Sequence, residues 1–196
     1  MSASSSEEPG RGGATRESPL RRIARLTVSY DAREDRLRFT AIDHDNFPLV
    51  LWLTRRLADR MVGALVSALD KTVEKEVTQA ARAAPAATAV PAAQLWQQTE
   101  ADLRMKKSRP VVAPTDISEE GLIESVRLRV RDKRYQLELD WATGNAGLAM
   151  DQVYLRQLLR ILYRHYQQCE WLRDGVWPDW FADDAYRTLI GTNQVN

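Results

Sequence analysis

Nonpolar residues along this chain recur at two spacings, every second position and every fourth, and one spacing gives way to the other twice. In "RIARLTVSY", Leu26, Val28 and Tyr30 alternate with Thr27 and Ser29, the period of a strand with one buried face. The polar run "DAREDR" turns the chain. Leu37, Phe39 and Ala41 then resume the alternation, which predicts a hairpin. After "DHDNFP", Leu49 to Leu53 is apolar throughout and short, as in a strand buried on both faces. Thr54 stands where a helix cap belongs, and Leu57, Met61, Leu65, Leu69 and Val73 follow at intervals of four. The helical pattern extends into "EKEVTQAARAA", with Pro85 as its expected stop.

The second half follows the same order. Val126, Leu128 and Val130 alternate with Arg127, Arg129 and Arg131; "RDKR" turns; Tyr135, Leu137, Leu139 and Trp141 alternate with Gln136, Glu138 and Asp140. "ATGN" is a turn, "AGLAM" a short apolar segment, Asp151 a cap, and Val153, Leu155, Leu158, Leu159, Leu162, Tyr166 and Cys169 a helical stripe. The pattern predicts an α+β fold of two similar β-β-β-α units, each an antiparallel sheet backed by a helix. An internal duplication explains the recurrence, and so does chance, since a hairpin followed by a helix is a common local arrangement. Two such units can pair into one six-stranded sheet with the helices on one side.

Composition sets the boundaries. Residues 1–20 are Ser, Gly, Glu and Arg with almost no large apolar side chain, which predicts a disordered tail. Residues 21–82 make the first unit, 83–117 an Ala/Pro-rich linker with a short helix at "LWQQTEADLRMKK", 118–170 the second unit, and 171–196 a tryptophan-rich terminal segment.

Charge and cysteine usage narrow the classes. The 28 basic residues balance 27 acidic ones, so bulk electrostatics does not drive the chain to nucleic acid or an anionic membrane. No apolar stretch is long enough to span a membrane, and the first residues lack the apolar core of a signal peptide. A single cysteine, Cys169, rules out an internal disulfide and suits a reducing compartment, so a cytoplasmic location is expected. Arginine far outnumbers lysine and alanine is abundant, which points to a GC-rich and therefore bacterial coding sequence.

Candidate chemistry is sparse. No phosphate loop, dinucleotide fingerprint, nucleophile elbow or metalloprotease helix is present, so no cofactor or metal is expected. Asp43, His44 and Asp45 place two carboxylates and an imidazole within three residues, but a hard cation needs about six oxygen ligands. A turn stabilised by its own Asp and Asn side chains explains them better. His165 lies on the second helix without a nucleophile at a partner spacing, and Cys169 fits the apolar stripe as a small buried hydrophobe.

Two surfaces remain. Arg127, Arg129 and Arg131 share a strand face, with Arg134 past the turn and Arg36 and Arg38 in a similar place on the first hairpin; such a row can track phosphates. Glu138 and Asp140 lie across from them, where opposite-charge pairing is the simpler account, and no aromatic residue interleaves to stack bases. Trp171, Trp177, Trp180 and Phe181 fall within eleven residues, either as interface anchors or folded back to complete the core. The expected function is that of a non-catalytic interaction or assembly protein binding a protein partner through those four aromatics, with homo-oligomers admitted. The alternatives are nucleic-acid binding through the arginines and a ligand site or enzyme near Asp43.

Overall fold

The chain was described from a computed structural model, which covers residues 20–80, 86–106, 109–112 and 119–181. The tail, parts of the linker and residues 182–196 of the terminal segment lie outside the described residues. The elements run β1 (Arg21–Asp31), β2 (Arg36–Asp43), β3 (Pro48–Thr54), α1 (Arg55–Ala80), α2 (Ala86–Leu103), β4 (Glu119–Arg131), β5 (Arg134–Trp141), β6 (Gly144–Met150) and α3 (Gln152–Gln168), ending in a 3-10 turn at Asp179–Phe181. The fold is α+β, and the order β-β-β-α occurs twice around α2.

The six strands form one closed barrel in sequence order, where the alternation suggests two antiparallel units pairing into one six-stranded sheet. The sheet is mixed. Two short parallel joints close it: Leu49–Trp52 of β3 against Glu119–Leu122 of β4, and Arg21–Arg22 of β1 against Ala146–Gly147 of β6. Closure leaves the barrel without a fully open edge, and joints this brief carry no alternation of their own to betray them.

Register explains which side chains face inward. Val28 stands opposite Phe39, Phe39 opposite Leu51, Leu128 opposite Leu137 and Leu137 opposite Leu148. These residues, Leu65 and Leu69 of α1, and Leu162 and Tyr166 of α3 share a single core. Each large aliphatic residue removed from water there contributes about 1.5–3 kcal/mol. Both helices start immediately after a third strand at a side-chain cap: Thr54 Oγ1 accepts the Leu57 amide (3.4 Å) and Asp151 Oδ1 the Tyr154 amide (2.8 Å). Counted from these caps, the buried positions Ala58, Met61, Val62, Leu65, Val66 and Leu69 fall opposite Leu155, Leu158, Leu159, Leu162, Tyr163 and Tyr166.

Two elements exceed the sequence expectation. β4 starts at Glu119, seven residues before the alternation becomes visible, and Gly121 lies there because Trp141 occupies the space a Cβ would need. α2 starts at Ala86 and contains Pro91, so it is longer than the short helix read in the linker. It docks by polar contacts. The guanidinium of buried Arg156 donates to the Gln94 backbone carbonyl (3.3 Å) and to Gln97 Oε1 (2.7 Å), and Gln94 Nε2 donates to Asp70 (2.6 Å). Burial pulls the Arg156 guanidinium down to about 10.

Candidate functional site

Beyond the parallel joints, β1 and β4 each pass a bulge, at Ile23/Arg25 and Ile123/Ser125, and part from their parallel neighbours. A helix lies beside each diverging strand: α3 beside β1, α1 beside β4. The structure therefore contains two related clefts between helix and strand, and they are filled differently.

In the first cleft, α3 ends in a Schellman arrangement. Glu170 takes a left-handed conformation (φ 55°), its amide donates to Gln167 O (3.3 Å) and the Trp171 amide donates to Tyr166 O (2.9 Å). That reversal swings Trp171 against the barrel, where its ring meets Tyr30 and Tyr166 edge-on, both at 5.6 Å, and its Nε1 donates to Asp35 (3.1 Å). One turn earlier, His165 Nε2 donates to the Val28 carbonyl (2.9 Å) on the side of β1 away from β2. Tyr30 donates to Asp35 as well (2.8 Å), and that hydrogen bond first, then burial, pushes its phenol up to about 12.

In the second cleft, the residue corresponding to His165 is Ala68, and α1 continues to Ala80 where α3 has already turned back. A groove of about 760 Å³ results, floored by Ala64, Ala68, Leu128 and Val130 and edged by Lys71 and Lys75. Val130 is 48% exposed. At one end Lys133, in the β4–β5 turn, pairs with Glu76 of α1 (2.6 Å). Burial raises the Glu76 carboxyl, but the hydrogen bonds from Lys133 and Gln97 outweigh that and hold it below its ordinary value; the same hydrogen bond raises Lys133. Lys71 and Lys75 have no acidic partner among the described residues.

The four aromatics singled out from the sequence are held on the core. Trp171 is 2% exposed and Phe181 is fully buried, while Trp177 and Trp180 are partly buried against the same cluster. Trp177 meets Tyr163 and Tyr166 edge-on, and the Arg156 guanidinium lies over Trp180 (5.6 Å). Folding back thus occupies most of the surface that these rings have.

The arginine row pairs across the hairpin. Arg127 reaches Asp140 (3.0 Å) and Glu138 (3.6 Å), Arg129 reaches Glu138 (3.1 Å), and Arg131 reaches Asp132 (3.6 Å); Arg134 is exposed. On the first hairpin Arg36 contacts Glu34 (3.5 Å), and Arg38 lies over Trp52 (5.5 Å) from the adjacent strand. An aromatic does therefore accompany one arginine. The pairing runs across strands, where a scan along the chain does not look. Asp43 Oδ1 accepts the amides of Asp45 (2.9 Å) and Phe47 (2.7 Å), the self-bonded turn, and His44 donates its amide to Arg22 O (2.9 Å). Among the described residues no group of three or more His, Cys, Asp or Glu is placed to hold a metal, and no helix is long and apolar enough to cross a membrane.

Sequence reasoning overlooked the α1–β4 groove and Trp96, which is 71% exposed on α2. Neither has a local signal: the groove is defined by what a related position lacks. The chain finds no match among protein-family models, curated proteins or solved structures.

Proposed function

We propose that this is a non-catalytic protein-interaction or assembly protein of the bacterial cytoplasm, and that its partner-binding site is the α1–β4 groove. One observation carries the reading: a helix-strand cleft that the chain fills with its own Trp171 and His165 on one side is left open on the other among the described residues. The open cleft has an apolar floor and a charged rim, the composition of a recognition surface. Of the terminal aromatics, Trp171 supports it indirectly, by sealing the related cleft. The matched caps, bulges and buried helix positions favour an internal duplication of the β-β-β-α unit, with a filling segment seen in one copy alone among the described residues.

The test is co-purification from the native host with wild type and Ser67→Trp, a substitution at an exposed position that fills the groove. A protein retained by wild type and lost by a normally melting Ser67→Trp supports the reading. Equal retention by both, or retention of nucleic acid alone, overturns it. Nucleic-acid binding is the second reading; the Arg38–Trp52 pair favours it, since a ring beside a cation can stack a base.

A further inference from the structure

We infer that the occupant of the groove is an extended segment of a partner protein that joins the barrel as an added strand on β4 and carries an aromatic side chain flanked by acidic residues. This rests on the reading of the groove as the binding site and adds what binds there.

The backbone supplies the first reason. After Leu122, β4 pairs only with β5 among the described residues, and its register there matches that of β1 on β2: Leu128 faces Leu137 as Val28 faces Phe39. The Val28 carbonyl points away from β2: Asp43 directs its amide to Phe47 in the β2–β3 turn, so Phe39, four residues earlier, bonds toward β3, and Val28 opposite it turns outward to His165. Residues of an antiparallel strand alternate in the direction of their backbone groups, so the amides and carbonyls of Val126, Leu128 and Val130 point away from β5. Ala68, where α3 has His165, is too short to reach them. A peptide laid along this edge supplies the missing hydrogen bonds, the mode by which exposed sheet edges recruit extended segments.

The first cleft supplies the second reason. There an aromatic ring bridges helix and strand, with Trp171 against both Tyr30 and Tyr166. In the second cleft Val130 stands where the first has Tyr30 and Leu69 where it has Tyr166, and beside them Ala68, in place of His165, leaves room for a ring.

Charge supplies the third. Lys71 and Lys75 rim the groove with no acidic partner among the described residues, and at its end Lys133 pairs with Glu76 while Asp132 also lines it, so three lysines face two carboxylates. Acidic residues beside the aromatic one answer the lysines and raise the encounter rate. A second copy of the chain is a poorer occupant among the described residues, because its Trp171 is 2% exposed in its own core and its exposed Trp96 lies within helix α2 and not in an extended segment.

The test uses the isotopically labelled full chain and an unlabelled nonapeptide that alternates valine with glutamate around a central tryptophan. Binding is expected to shift amide resonances within 126–131 and 64–76 and to slow hydrogen exchange at Val126, Leu128 and Val130. Replacing the peptide's tryptophan by alanine should weaken binding about tenfold, as should K71E combined with K75E in the chain. Absence of binding, shifts elsewhere, equal affinity for the alanine peptide, displacement by an oligothymidine from the same resonances, or concentration-dependent self-association that moves them would each overturn the inference. Peptide failure together with a host protein that Ser67→Trp still excludes removes only the stated occupant. Failure of the co-purification removes the binding reading itself.

Discussion

The two helix-strand clefts are built on the same plan and end in opposite states. Both have a bulged long strand that leaves its parallel neighbour, a helix capped directly after a third strand, and a matching set of buried helix positions. What separates them is the end of the helix. The left-handed Glu170 stops α3 and turns Trp171 inward, whereas α1 continues past the corresponding point and leaves β4 beside a groove. The C-cap, together with His165 in place of Ala68 and Tyr30 in place of Val130, separates the filled cleft from the groove. Among the described residues, β4 after Leu122 pairs with β5 alone.

The largest effect should come from reopening the filled cleft. Trp171→Ala removes a ring packed between Tyr30 and Tyr166 together with its hydrogen bond to Asp35, and large aromatic truncations of this kind cost about 3–5 kcal/mol. Ser67→Trp, on the exposed side of the open groove, should stay within about 0.5 kcal/mol. Urea denaturation of both variants measures the contrast directly. Two equal and small losses would mean that Trp171 covers its cleft without stabilising it.

Removing the polar tie should cost less. His165→Ala leaves the Val28 carbonyl without its partner, at about 1–3 kcal/mol if water stays out and less if water enters. Tyr30 adds a dependence on pH. Its folded phenol is raised to about 12 from an ordinary value of about 10, so the stability it lends is complete below pH 10 and is lost as pH rises toward 12. Tyr30→Phe should flatten that alkaline fall in the denaturation midpoint, and an unchanged slope would assign it to other groups.

The arginine row tests whether a second surface competes with the groove. Exposed pairs such as Arg127–Asp140 are worth about 0.2–1 kcal/mol each, so converting Arg127, Arg129 and Arg131 to glutamate should lower stability modestly, chiefly through repulsion around buried Glu138. Retention on an immobilised polyanion, if wild type shows any, should survive the triple change. Its loss would move the binding site from the groove to the sheet.

The alternating and four-spaced stretches were legible in the sequence because each reflects one buried face: β1, β2, β5 and the stripe of α3 appear in the structure at those residues. The start of β4 was not, since Glu119, Glu120 and Glu124 mask it and Gly121 reflects the bulk of Trp141 from another strand. Barrel closure rests on parallel joints four and two residue pairs long, too short to leave a pattern. Of the candidate surfaces, the aromatic cluster and the arginine row were visible as composition. The Arg38–Trp52 contact depends on register, and the groove depends on Ala68 being compared with His165. The first needs only the β2–β3 register, and the second needs both halves superposed element by element.

Making the clefts alike should change stability little. Ala68→His combined with Val130→Tyr gives the second cleft the reaching imidazole and the ring of the first, at positions where one side chain is small and the other half exposed. Without a turned-back Trp171 to complete the packing, the new residues gain little, and the melting point should move by the equivalent of no more than about 1 kcal/mol. Binding is where the double variant should differ, because the new imidazole takes the Leu128 carbonyl and the new ring takes the floor. A variant that melts normally and still binds the tryptophan nonapeptide with wild-type affinity would show that the difference between the two clefts is incidental to recognition.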